Sequence, residues 1–195
     1  MNLPNKLTML RIFMIPIFIV LVVMPIDLGT LEILNSSIEV KLLIATIVFA
    51  VASFTDWLDG YLARKMNIVS NFGKFADPLA DKMLVMTALI LLVQLNMAPA
   101  WVVAVIVCRE LAVTGLRLLL VEQGGTVLAA SWPGKVKTNT QMLAIIFLLL
   151  SNFPFNWTGI PVATILLYIC LIFTLYSGFD YFYNARHFFK GTFSS

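Results

Sequence analysis

Six apolar stretches divide the chain, at about 8–26, 40–58, 78–97, 100–120, 137–152 and 160–180. Each is long enough, or nearly so, to cross a bilayer as a helix, which takes ~20 residues. The fifth is the shortest. The longest polar connections are 27–39, 64–76 and 122–136, and no soluble domain fits between the stretches. The pattern predicts an all-α, polytopic membrane protein with six transmembrane helices, residues 1–195 forming one domain.

Charge then orients the spans. Connections one, three and five share one face. The first holds Asp27 and Glu32, with Glu39 and Lys41 at its edge; the third and fifth carry no charge. The opposite face receives Lys6, Arg11, Arg64, Lys65, Lys74, Lys82, Lys135, Lys137, Arg186 and Lys190. The positive-inside rule makes that face cytoplasmic and puts both termini on it. Trp101 and Trp157 fall at the outer boundary and Trp57 and Trp132 near the inner one, as in an aromatic belt. Lys6 and Arg11 ahead of an apolar run imitate a secretory signal. No small-residue cleavage site follows, so the run is expected to stay as the first membrane helix.

Composition agrees. The chain is 61% hydrophobic and only 12% charged, with a mean hydropathy of +0.96, outside the range of ordinary soluble domains. Cys108 and Cys170 lie in separate apolar runs and are read as packing residues rather than a disulfide. One histidine, His187, argues against a zinc cluster.

Against this background the acidic residues stand out. Four of the ten, Asp56, Asp59, Asp77 and Asp81, fall within 26 residues, at the cytoplasmic ends of the second and third apolar stretches. Asp56 and Asp59 are three apart and Asp77 and Asp81 four apart, so each pair shares a helix face. Gly60 and Ala63 continue the first face and Gly73 the second. Small residues there leave room for a close approach, although a helical glycine costs about 1 kcal/mol relative to alanine. Pro78 suits the first turn of the third helix. Side by side, the two helices bring four carboxylates together. Their repulsion would force some to take up protons unless divalent cations neutralised them. Oxygen donors without histidine or thiolate favour hard ions such as Mg²⁺ or Mn²⁺, and four carboxylates can bridge two of them. Solvated aspartates at helix ends are the plainer alternative.

The string Asp56-x₂-Asp59-Gly60-x₂-Ala63-Arg64-x₈-Gly73-x₃-Asp77-x₃-Asp81 resembles the full signature of the CDP-alcohol phosphotransferases, with each fixed residue and both spacers present. Softer motifs cover nearly the whole chain: Pro4-Asn5-Lys6-Leu7-Thr8-Met9-Leu10-Arg11, Arg109-Glu110 with Arg117, and Gly134-Lys135-Val136-Lys137-Thr138. They are similar to the branch that joins CDP-diacylglycerol to sn-glycerol 3-phosphate, releasing CMP and phosphatidylglycerol phosphate. The resemblance implies a six-helix membrane homodimer of the cytoplasmic membrane, with membrane lipids and the two substrates as partners and no nucleic acid. It implies that Asp56, Asp59 and Asp77 ligate metal, with Asp81 close to a second Mg²⁺ or Mn²⁺ ion and acting as general base. Gly60, Ala63, Arg64, Gly73 and Thr8 would then border CDP-diacylglycerol, with Arg11 near the same cavity.

The acceptor's phosphate needs cations. Arg109 and Arg117 interrupt the fourth apolar stretch, where an ionisable residue is a functional candidate by default. Eight residues apart, they project about 80° from each other and can still border one cavity. Lys135 and Lys137 complete the expected acceptor-phosphate set, and Glu110 is expected to pair with a basic neighbour. The same chemistry with inositol phosphate, serine or phosphatidylglycerol as acceptor is the first alternative. A divalent-cation transporter is the second, although the acids lie at one membrane edge rather than the midplane.

Overall fold

The structure, a computed structural model, describes the backbone of residues 3–33, 36–66, 71–122 and 132–192; within the helices, side chains are described for residues 7–55, 79–80, 82–120 and 132–186 apart from the gap at 34–35. Among these residues there are six α-helices: α1 (Leu3–Val23), α2 (Val40–Met66), α3 (Asn71–Gln94), α4 (Ala100–Glu122), α5 (Trp132–Leu149) and α6 (Val162–Thr192).

The helices match the six apolar stretches but overrun them on one side. The α2 C-terminus, the α3 and α5 N-termini and the α6 C-terminus all continue past the apolar residues into charged sequence. The opposite ends stop close to the hydrophobic boundary. Since α3 starts at Asn71, Pro78 sits inside the helix rather than in its first turn. Gly73 occupies the first turn instead.

Apolar residues fill the interior and also coat the exterior. Phe18, Leu42, Phe49, Leu89, Leu92, Ile106, Ile145, Leu149 and Leu167 are fully buried, and the rings of Phe18 and Phe49 meet at 5.9 Å. Phe13, Ile17, Phe54, Ile90, Leu118, Ile172 and Phe179 are exposed. A helix apolar on all sides, with a large exposed hydrocarbon surface, suits an apolar solvent. Hydroxyls inside the helices satisfy themselves locally. Those of Thr46, Thr55, Thr114 and Thr140 donate to the carbonyl four residues back, at 2.6–2.9 Å.

Among the described residues, Val162–Arg186 is the one segment whose length and hydropathy alone suffice for a span. Within the residues whose side chains are described, Leu7–Val23, Val40–Thr55 and Lys82–Gln94 are apolar parts of α1, α2 and α3. Arg109, Glu110 and Arg117 interrupt α4, and Lys135 and Lys137 interrupt α5.

Two features depart from the all-helical expectation. A small antiparallel hairpin, β1 (Thr30–Ile33) with β2 (Ser36–Glu39), occupies the first connection, Thr30 opposite Glu39 and Ile33 opposite Ser36. Gly29, at φ +83°, makes the turn into it, its N–H held by the Asp27 carboxylate at 2.8 Å. A 3₁₀ turn, Phe155–Thr158, fills the fifth connection. The two meet where Asn156 donates to the Ser36 hydroxyl at 2.9 Å. Trp101 and Trp157 are exposed at this end and Trp132 at the other.

Candidate active site

Helices α3, α4, α5 and α6 surround a cleft of about 240 Å³. Its walls carry Lys82 from α3, Arg109, Glu110 and Arg117 from α4, Lys137 and Gln141 from α5, and Tyr181 from α6. Four cations thus face one carboxylate.

Glu110 is the hub. Lys82 Nζ reaches its Oε2 at 2.9 Å, while Arg109 Nη1 and Lys137 Nζ reach its Oε1 at 2.7 and 2.6 Å. The expected pairing of Glu110 with a basic neighbour is present, but with three partners on three helices. Lys137 is 6% exposed despite its charge. A buried ammonium needs such a partner, because desolvation alone would cost several kcal/mol.

The two arginines are held from α6. Arg109 Nη2 donates to the Ser177 hydroxyl at 2.5 Å. Arg117 Nη2 donates to the Tyr181 hydroxyl, and its guanidinium carbon lies 4.7 Å from that ring's centroid. Gly178 admits the Arg109 side chain: a Cβ there would lie 3.1 Å from Arg109 Cγ and 3.2 Å from Nε. Glu110 and the anchors leave donors unused. Arg109 Nε, Arg117 Nε and Gln141 Nε2 are buried without a hydrogen-bond partner. Buried donors are rarely left so, and the three side chains that carry them all line the cleft.

Of the residues singled out from the sequence, Arg109, Arg117 and Lys137 come together in this cleft. Lys135 does not; two positions from Lys137, it projects from the opposite side of α5 and is exposed. Thr8 and Arg11 are fully buried on α1. Arg186 is exposed and stacks over Tyr183 at 4.1 Å. Cys170 is buried and Cys108 exposed, and both are free thiols. The side chains of Asp56, Asp59, Gly60, Ala63, Arg64, Gly73, Asp77 and Asp81 lie outside the described residues, as do those of Trp57 and His187. The backbone places Asp56 and Asp59 one turn apart on α2 and Asp77 and Asp81 one turn apart on α3, and these two helices pack together. Asp81 is followed immediately by Lys82, so the aspartate-bearing segment of α3 runs directly into the cleft wall. Among the described residues no three metal-ligating side chains cluster.

Comparison with known proteins decides the family. Residues 1–176 match the model of the CDP-alcohol phosphatidyltransferases. The chain belongs to this family. It is 54% identical, over 93% of both chains, to a Bacillus subtilis protein named CDP-diacylglycerol–glycerol-3-phosphate 3-phosphatidyltransferase. Proteins of the same name from Sodalis glossinidius and Escherichia coli K12 are 36% and 35% identical, over 96% and 95% of both chains. Membership makes the chain a membrane-associated transferase.

Lys82, Gln141, Ser177 and Tyr181 were not singled out as site residues by the sequence. Lys82 reads there as one more cytoplasmic lysine. Ser177 and Tyr181 contact arginines 68 and 64 residues away, a pairing that no local pattern announces.

Together, the four aspartates of α2 and α3 would make a donor set chemically suited to a hard divalent cation. It offers only oxygen, on two adjacent helices, and no soft donor.

Proposed function

We propose that the chain transfers the phosphatidyl group of CDP-diacylglycerol to sn-glycerol 3-phosphate, giving phosphatidylglycerol phosphate and CMP. The observation that carries this reading is the cleft: four cations, one carboxylate and three unspent buried donors, adjoining the aspartate-bearing part of α3. An acceptor that brings its own phosphate is what such a cleft complements.

Asp56, Asp59, Asp77 and Asp81 would hold the divalent ions, Mg²⁺ or Mn²⁺. When bound, these supply charge neutralisation at the diphosphate and acidify a nearby hydroxyl. The protein's own groups do the rest. Gly60, Ala63 and Gly73 leave space for the cytidine and diphosphate, with Arg64 and Thr8 at its border. Arg109, Arg117, Lys82 and Lys137 grip the acceptor's phosphate and so fix its far, primary hydroxyl toward Asp81. The Asp81 carboxylate takes the proton of that hydroxyl. The oxygen bonds to the β-phosphorus of CDP-diacylglycerol, and the bond from that phosphorus to the bridging oxygen breaks. CMP leaves with the bridging oxygen and the bond's electron pair. Holding both reactants in place converts a bimolecular encounter into a local displacement.

This reading places six spans in the cytoplasmic membrane, with the charged helix ends and both termini in the cytoplasm and the acyl chains left in the bilayer. A homodimer is part of the same proposal. The deciding experiment is CMP release by purified protein with CDP-diacylglycerol, Mg²⁺ or Mn²⁺, and a panel of acceptors. Glycerol 3-phosphate should support turnover; serine and unphosphorylated glycerol should not. Efficient use of serine would overturn the phosphate-clamp reading.

A further inference from the structure

The two arginines of the cleft are steered by a helix that adds no charge of its own to the cleft lining. Ser177 and Tyr181 are four apart on α6, one turn apart on the same face, and both are buried. Each accepts from one guanidinium. The Ser177 hydroxyl is itself held, donating to the Thr174 carbonyl at 3.3 Å. Gly178, between them, removes the Cβ that would crowd the Arg109 chain.

We propose that Ser177 and Tyr181 are positioning residues for the acceptor: α6 serves as a rack that aims Arg109 and Arg117 into the cleft. This rests on the assignment of the cleft to the acceptor's phosphate. An arginine side chain has many rotamers, and ordering it on ligand arrival weakens binding. Fixing one Nη of each guanidinium beforehand removes that loss and leaves the remaining N–H groups for a phosphate oxygen. The rack also divides labour on Arg109. One Nη goes to Glu110 and the other to Ser177, so the guanidinium plane is defined by two neighbours on different helices. Among the described residues Arg117 has one hydrogen-bonded anchor, Tyr181, whose ring also lies beneath the cation. Loss of the Tyr181 hydroxyl should therefore matter more than loss of the Ser177 hydroxyl.

The test uses full-length protein in lipid–detergent micelles, with separate KM values for glycerol 3-phosphate and CDP-diacylglycerol. Tyr181→Phe, which keeps the ring, should raise the acceptor KM about tenfold, and Ser177→Ala about threefold, the scale of one freed side chain each. The CDP-diacylglycerol KM should stay within about twofold on that scale. Ser177→Thr, which restores a hydroxyl, should return the acceptor KM toward that of the unaltered protein. Unchanged acceptor KM in Tyr181→Phe and Ser177→Ala would overturn the rack. So would an equal rise for both substrates, which would mean general loosening. Arg117→Lys in parallel separates the two ideas. A raised acceptor KM there with silent α6 variants leaves the cleft assignment standing and removes the rack. Silence in all three removes both.

Discussion

The two ends of the helix bundle solve the same problem in opposite ways. At the hairpin end, the groups around the 3₁₀ turn close on one another through neutral side chains and backbone. Asn152 donates to Asn156 Oδ1 at 3.1 Å and to the Ile160 carbonyl at 2.9 Å, and accepts from the Ala163 N–H at 2.9 Å. Asn156 donates onward to the Ser151 carbonyl at 2.7 Å and to Ser36. At the cleft end, four cations gather around one carboxylate, and three buried donors stay unspent. A satisfied network stabilises and goes no further. A cluster with surplus positive charge and free donors is less stable than it could be, and that deficit is what a bound anion can remove.

The contrast can be broken most severely at the chemistry. Asp81→Asn should lower turnover by about 10³-fold, the scale of a lost general base, with the fold intact. CMP release and thermal unfolding together check this. Normal turnover would remove Asp81 from the mechanism.

Glu110→Ala should come next. It strands Lys82, Arg109 and Lys137 together, and removing one partner of a buried charge pair costs about 3–5 kcal/mol. Thermal unfolding should show the loss, and added inorganic phosphate should restore part of it. No restoration would mean that the cluster is only structural. Glu110 is intermediate in exposure rather than fully buried, so the lower part of that range is expected.

Asn156→Ala probes the other end. It should destabilise by about 1–3 kcal/mol through unsatisfied partners, while leaving both substrate KM values alone. The smallest effect belongs to Lys135→Ala. Its exposed ammonium should change the acceptor KM by less than about threefold, as for surface charges generally.

Much of this contrast is legible in the chain itself. The apolar stretches locate all six helices, and the uneven distribution of Lys and Arg marks which end is charged. The aspartate spacing and the intrusive Arg109 and Arg117 identify the chemistry, because charge in apolar sequence needs a reason. What hydropathy conceals is the extent of the helices. Residues 64–66 and 71–76 belong to the polar connection 64–76 by hydropathy, yet they are helical, because helix propensity does not stop where hydrophobicity does. The hairpin is concealed for a different reason: its strands are four residues each and are tied down by Asn156, 120 residues from Ser36. Spacing alone sends Lys135 and Lys137 to different faces of the fifth helix, and the rotation of α5 about its axis decides that Lys137 is the one in the cleft. The hub role of Glu110 needs three helices in place before it exists.

The most direct measurement is the pair of KM values in the Arg109→Lys, Arg117→Lys double variant. A charge-assisted hydrogen bond is worth about 1.5–3 kcal/mol, so the glycerol 3-phosphate KM should rise at least about tenfold. The CDP-diacylglycerol KM should stay close to that of the unaltered enzyme. A rise shared equally by both substrates, or confined to CDP-diacylglycerol, would contradict the assignment of this cleft to the acceptor.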